Sequence, residues 1–262
     1  MMIAELIDRY FIKQPRFRRV VTRLLYGNSA VPVSLLGAQL LIHSGQENGY
    51  LRAFRHARTL SLFRDEAAVL INLASLIGEN CTFLDIGANI GIFSAVIARL
   101  SNIKRGVRIF AFEVDPNTFQ RLRQNAKRYG FHAECIGLAE LDEIKEFVRG
   151  AVSHVTTPLA SINSYSIRKE TFTARCVPLS SFEIPGSSIV MKIDVEGGEY
   201  EVLAGAEEFF AEDRVRAVYL HDISRLHAVQ DFLEKYGFKL LDGVTLTPFE
   251  AGSFSLLGIK DQ

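Results

Sequence analysis

From Cys81 onward the chain alternates between short apolar runs and helical patterns, and this alternation constrains the fold more than any other feature. CTFLDIG reads as a strand and IGIFSAVIARL as a buried helix, followed by the strand VRIFAFE, the helix PNTFQRLRQNAKRYG and the strand HAECIGL. EIKEFVRG and TARCVPL are further strand pieces flanking a Ser/Thr-rich stretch, VSHVTTPLASINSYS, whose composition predicts a mobile loop over the site. SIVMKID, EYEVLAGAEEFF, VRAVYLH and LHAVQDFLEKYG repeat strand, helix, strand and helix, the last ending at a glycine C-cap. Strands that alternate with helices call for an α/β fold with a doubly wound parallel sheet. FKLLDG and FSLLGIK close the chain with no helix between them, so they must pair antiparallel, and the last inserts as an antiparallel member.

Upstream, VPVSLLGAQLLIH reads as a small hairpin, and helical patterns cover residues 47–60 and 65–77. Residues 2–26 read as two short amphipathic helices broken at Pro15, with Lys13, Arg16, Arg18, Arg19 and Arg23 on the basic side. Such a segment fits a helical cap packed on the domain, or a weak contact with an anionic membrane surface. The expected division is a helical and hairpin extension over 1–60 and one domain over 61–262. Apolar residues are 48% of the chain, enough for a sizeable core, and 30 basic residues balance 30 acidic ones. A partner held mainly through phosphates would call for a basic excess, so no nucleic acid is expected. Cys81, Cys135 and Cys176 stand in apolar runs without metal-ligand spacing and read as buried thiols in a reducing compartment. No apolar run approaches the roughly 20 residues that span a bilayer, and the first residues lack a secretory pattern, so a cytoplasmic protein is expected.

The turn Gly87-Ala88-Asn89-Ile90-Gly91, between the first strand and its helix, is placed to bind a ligand. A dinucleotide fingerprint needs a second glycine where Asn89 stands. Asp85, just before the turn, is electrostatically wrong for a pyrophosphate but suits an ammonium or sulfonium group, and the following helix N-terminus can take a carboxylate. Together these call for an amino acid moiety. Glu113, at the tip of the second strand, is placed to accept hydrogen bonds from both hydroxyls of a ribose. An amino acid joined to a ribose means S-adenosylmethionine.

DIGANIGIFS, AFEVDP and above all KIDVEGGEYEVLAGA resemble the FkbM-type methyltransferases that depend on S-adenosylmethionine, over roughly residues 60 to 258. The resemblance implies a seven-stranded, mostly parallel Rossmann-like sheet, with Asp85, Gly87, Asn89, Gly91 and Glu113 on the cofactor. Asp194 ends the central strand, where the methyl group would point, and is either the base for an acceptor hydroxyl or its orienting group. Lys192, two residues back on the same strand face, would hold Asp194 ionised or pair with a neighbouring carboxylate. His221 ends the next strand and titrates near neutrality, which suits a general base; the family more usually has Glu near this place, so His221 is a departure. Glu66, where family members often carry glutamate, lines the cofactor pocket or a solvated helix face. Glu196 and Glu199 have a structural reading as acidic residues of a first helical turn, and His154 could touch substrate. Asp194 and Glu196 lack a convincing third oxygen ligand, so no metal is expected.

These readings give an O-methyltransferase acting on a hydroxyl of a small-molecule, sugar or glycolipid-like acceptor. The alternatives are an S-adenosylmethionine-binding protein without catalysis and an NAD(P)-dependent oxidoreductase.

Overall fold

A computed structural model describes residues 20, 23–24, 26–47, 49–51, 64–100, 105–149, 156–158, 170–221, 223–250, 253 and 255–260. Most of the basic segment 2–26, the pattern 52–60 and His154 lie outside the described residues.

The hairpin forms as expected: β1 (Ala30–Leu35) and β2 (Ala38–His43) pair antiparallel across Leu36-Gly37, both at positive φ. The alternating region supplies α1 (Arg64–Leu76), β3 (Cys81–Ile86), α2 (Ile92–Leu100), β4 (Arg108–Phe112), α3 (Pro116–Tyr129) and β5 (His132–Glu134). It continues with β6 (Gly137–Leu138), β7 (Glu143–Arg149), β8 (Thr156–Pro158), β9 (Glu170–Val177), β10 (Ser188–Ile193), α4 (Glu199–Ala204) and α5 (Glu207–Ala211). Last come β11 (Val215–His221), α6 (Leu226–Lys235), β12 (Lys239–Asp242) and β13 (Ser255–Ile259).

The main sheet has seven strands in the order β12-β13-β11-β10-β3-β4-β5. β10, β11, β3, β4 and β5 run parallel, and β13 is antiparallel to both β11 and β12. This is the doubly wound α/β sheet the alternation demands. Because successive strand residues point to opposite faces, each central strand feeds two cores. Phe83, Val190, Ala217 and Tyr219 pack under α1, α2 and the hairpin; Leu84, Met191, Val218 and Leu220 pack under α4, α5 and α6. Each fully buried Leu, Ile or Phe of these layers contributes about 1.5–3 kcal/mol.

Four expectations need correction. HAECIGL is not one strand: it splits at Cys135-Ile136, β5 joining the main sheet and β6 a separate four-stranded sheet of order β6-β9-β7-β8. Cys135 sits in that crossing and is exposed, whereas Cys81 and Cys176 are buried. Within the Ser/Thr-rich stretch, Thr156–Pro158 is a strand paired antiparallel with β7, and the rest lies outside the described residues. EYEVLAGAEEFF is two helices rather than one, divided at Gly205-Ala206, where Gly205 passes so close to the Ala139 carbonyl that a Cβ there would lie 2.0 Å from its oxygen. Among the described residues no helix is long and apolar enough to cross a membrane.

Candidate active site

The strand register builds the centre of the site. Lys192 on β10 is paired with Asp85 on β3 and with Tyr219 on β11, so the three side chains stand abreast on one sheet face. Lys192 is 4% exposed and its Nζ lies 3.4 Å from Asp85 Oδ1 and 3.4 Å from Asp194 Oδ2. The same ammonium donates to the Gly87 carbonyl at 2.8 Å. Burial works against the charge on Lys192, but Asp194 and Asp85 outweigh it and raise its pKa. Burial likewise opposes ionisation of Asp194, yet the Lys192 ammonium and a hydrogen bond from His221 hold its carboxyl well below the usual range. His221 Nδ1 stands 3.5 Å from Asp194 Oδ1. Asp194, Lys192 and His221 are therefore brought together.

The turn after β3 is locked from two sides. Gly87 and Ala88 donate to the Phe112 carbonyl, and Asp194 N donates to Ile86. Gly87 has φ +70°, and a Cβ there would lie 2.0 Å from the Asp194 carbonyl oxygen, so only glycine lets the two strand-end loops meet. Gly91, φ +80°, faces Leu122 and Phe131 and allows α2 to approach α3. Asn89 also has a positive φ, and its amide donates to Glu113 Oε2 at 2.9 Å. Glu113 Oε1 accepts from Asp115 N, and burial pushes this carboxyl up to about 7.

Asp85 has a different place from the one its position before the turn implies. It is fully buried and does not reach the cavity surface; Oδ2 accepts from Ser94 N and Ser94 Oγ at the start of α2, where the helix dipole favours a carboxylate. Its partner amide is the kind of donor expected to receive a ligand carboxylate.

A cavity of about 340 Å³ opens beside these groups. Gly87, Asn89, Glu113, Lys192, Asp194 and His221 all line it. Lys145, Phe147 and Cys176 wall it from the four-stranded sheet. That sheet is docked by Arg149, which donates from Nε and Nη2 to the two Asp115 oxygens at 2.8 and 2.9 Å. Asp115 in turn caps α3 through Asn117 N, so the Arg149 fork fixes the loop that carries Glu113.

Glu66 is half-buried and lines the cavity rather than a solvated face. Glu196 lines it as well, at φ 53°. Glu199 is structural: fully buried, it accepts from Gly197 N at 2.7 Å and from Ser224, and closes the Gly197-Gly198 turn. Among the described residues no group of three His, Cys, Asp or Glu is arranged to hold a metal.

Sequence reasoning missed Tyr50, which follows the hairpin and lines the cavity. Its segment is anchored by Glu47, fully buried and ion-paired with Arg121 of α3, and its phenol is held neutral by burial and by the carboxylates of Asp194 and Glu66. The available signal was an acidic residue at 47 and a basic one at 121, and neither carries a sequence pattern.

Residues 85–240 match the family model described as the methyltransferase FkbM domain. Over 156 residues the chain is 28% identical to the hexuronic acid methyltransferase AglP of Haloferax volcanii, covering 54% of this chain and 56% of that protein. The chain thus spans little more than half the length of the curated relative it matches. Among solved structures it is similar to methyltransferase FkbM from Methylobacillus flagellatus KT, at 16% identity and a TM-score of 0.47, over 70% of this chain and 43% of that one. It is also similar to the tRNA (uracil-54, C5)-methyltransferase of Pyrococcus abyssi in complex with S-adenosyl-L-homocysteine, at 13% identity and a TM-score of 0.43, over 89% and 44% of the two chains.

Proposed function

Since the chain belongs to the FkbM family of methyltransferases, its model covering residues 85–240, we propose that it is an S-adenosylmethionine-dependent O-methyltransferase acting on a hydroxyl of a sugar or glycan-like acceptor. The observation that carries this reading is one cavity lined by Glu113 and the Gly87 turn together with Asp194 and His221.

The residues present fit the cofactor. Glu113 keeps lone pairs on both oxygens beyond its two backbone donors, as ribose hydroxyls require. Asn89 Oδ1 is buried without a hydrogen-bond partner beside the cavity, an acceptor awaiting a donor. When bound, S-adenosylmethionine supplies an electrophilic methyl group. Asp85 acts through others in this reading: it holds the start of α2 and, with Lys192, the Gly87 carbonyl.

On the acceptor side, Asp194 is held so strongly ionised that it is a weak base. His221 is the better proton acceptor. With Nδ1 turned to Asp194, Nε2 is the nitrogen that takes the hydroxyl proton, and the carboxylate steadies the imidazolium that forms. The relative's hexuronic acid supports a sugar-type acceptor by similarity.

The test is formation of S-adenosylhomocysteine in the presence of methyl glycosides and glycolipids, with wild type and His221→Ala. Acceptor-dependent formation that the variant loses supports the reading. Hydride exchange with NAD(P)H and no methyl transfer would support the oxidoreductase instead, and cofactor binding with no transfer to any hydroxyl would support a non-catalytic binding protein.

A further inference from the structure

β1 pairs with one edge of β2, and the other edge of β2 presents amides and carbonyls that need partners. Side chains supply them. The Gln39, Leu41 and His43 amides donate to the Tyr129 hydroxyl, to Asn125 Oδ1 and to a Glu47 carboxylate oxygen. The Tyr129 hydroxyl and Asn125 Nδ2 donate in return to the Gln39 and Leu41 carbonyls, at 2.9 and 3.3 Å. Arg121, Asn125 and Tyr129 are spaced four apart along α3, so one helix face carries Asn125 and Tyr129 to the strand and Arg121 to Glu47.

Asn125 also reaches the opposite way. It is 2% exposed, and its Nδ2 donates to the Ile90 carbonyl at 2.8 Å. Ile90 stands in the turn between Asn89 and Gly91, both at positive φ. The Asn89 amide, one residue earlier, is a donor to Glu113. Ile90 is fully buried, and a buried carbonyl without a donor is costly, so this bond fixes the peptide plane that follows Asn89. One carboxamide thus joins the edge of β2 to the turn and spends its oxygen and both Nδ2 hydrogens in doing so.

Resting on the cofactor reading above, we propose that Asn125 is a positioning residue for the cofactor turn, and that through it the hairpin, which precedes residues 85–240 of the family domain, is coupled to cofactor binding. Asn125 does not line the cavity. It acts by holding Ile90, and through Ile90 the Asn89 amide that orients Glu113. Coupling of this kind is reciprocal: a cofactor that stills the turn also stills the hairpin.

The experiment titrates S-adenosylhomocysteine into the full chain and follows hydrogen exchange across residues 38–43 with and without it. Saturating S-adenosylhomocysteine slows exchange at Gln39 and His43 by about fivefold or more, beyond any slowing in β12 at the end of the main sheet away from β4. Asn125→Ala weakens binding by a similar factor and abolishes the extra protection at Gln39 and His43, whose own partners it leaves in place. Val229→Ala, a truncation in the core under α6, lowers the denaturant midpoint yet keeps S-adenosylhomocysteine affinity, which separates positioning from a general loss of stability. Unchanged affinity in Asn125→Ala, or exchange at Gln39 and His43 that S-adenosylhomocysteine does not slow, overturns the inference and leaves the cofactor reading standing. The exchange comparison needs only the wild type, so it decides the matter where Asn125→Ala does not fold. No binding of S-adenosylhomocysteine to the wild type overturns the cofactor reading and the inference with it.

Discussion

The Lys192 ammonium lies 3.4 Å from the Asp194 carboxylate in a site where Lys192 is only 4% exposed. Removing one partner of a buried pair leaves the other charge uncompensated, which costs about 3–5 kcal/mol. Lys192→Met therefore destabilises by that order in urea unfolding, and adding Asp85→Asn to it restores part of the loss. Fully additive single costs would contradict the shared ammonium.

Glu113 sets a pH dependence. Burial raises its folded-state carboxyl from 4.5 to about 7. A raised value means the folded protein holds the proton more tightly, so this group contributes stability below the unfolded value that is lost as pH rises through about 7. Ligand hydroxyls prefer the ionised carboxylate, so S-adenosylhomocysteine affinity rises from about pH 6 to about pH 8, by at most about tenfold per unit. Calorimetry across that range checks the slope, and Glu113→Gln flattens it.

Gly87→Ala and Gly91→Ala separate two uses of glycine. Both positions have positive φ, which alone costs an L-residue about 1–2 kcal/mol. At Gly87 the added Cβ also meets the Asp194 backbone carbonyl at 2.0 Å, whereas at Gly91 it meets the tip of Leu122 at 2.6 Å. The Gly87 variant loses more stability and loses cofactor affinity; the Gly91 variant loses less of both. The reverse order in denaturant midpoints would contradict the close approach of the two loops.

His221→Gln removes the proposed proton acceptor and keeps a polar side chain. The expected loss is about 10²–10⁴-fold in kcat, with S-adenosylhomocysteine affinity within about twofold of wild type and the acidic limb of the pH–rate profile abolished. Asp194→Asn lowers kcat too and shifts that limb to lower pH, because the imidazolium loses its carboxylate. An unchanged pH–rate profile in Asp194→Asn would contradict the pair.

Much of this was legible in the sequence, and the limits are physical. The strand-helix alternation implied the parallel sheet, and the lack of a helix between Asp242 and Ser255 implied the antiparallel end. DIGANIG and KIDVEGGE marked two loops that do meet, at Gly87 and Asp194. What periodicity could not carry was pairing. The alternation in HAECIGL says strand, but only tertiary contact divides β5 from β6 between two sheets. Asp85 was read from its place in the chain; the contacts it makes follow from register with Lys192 and from Ser94, nine residues on. Tyr50 joins the site through a buried ion pair whose members are 74 residues apart, a separation at which sequence spacing says nothing.

The most direct measurement is calorimetric titration of S-adenosylhomocysteine into the full chain and into Glu113→Ala near pH 8. The account predicts saturable one-to-one binding to the wild type, weakened by about tenfold or more in the variant, as expected for loss of a charge-assisted hydrogen bond of about 1.5–3 kcal/mol. No binding to the wild type, or identical binding to both proteins, would contradict it.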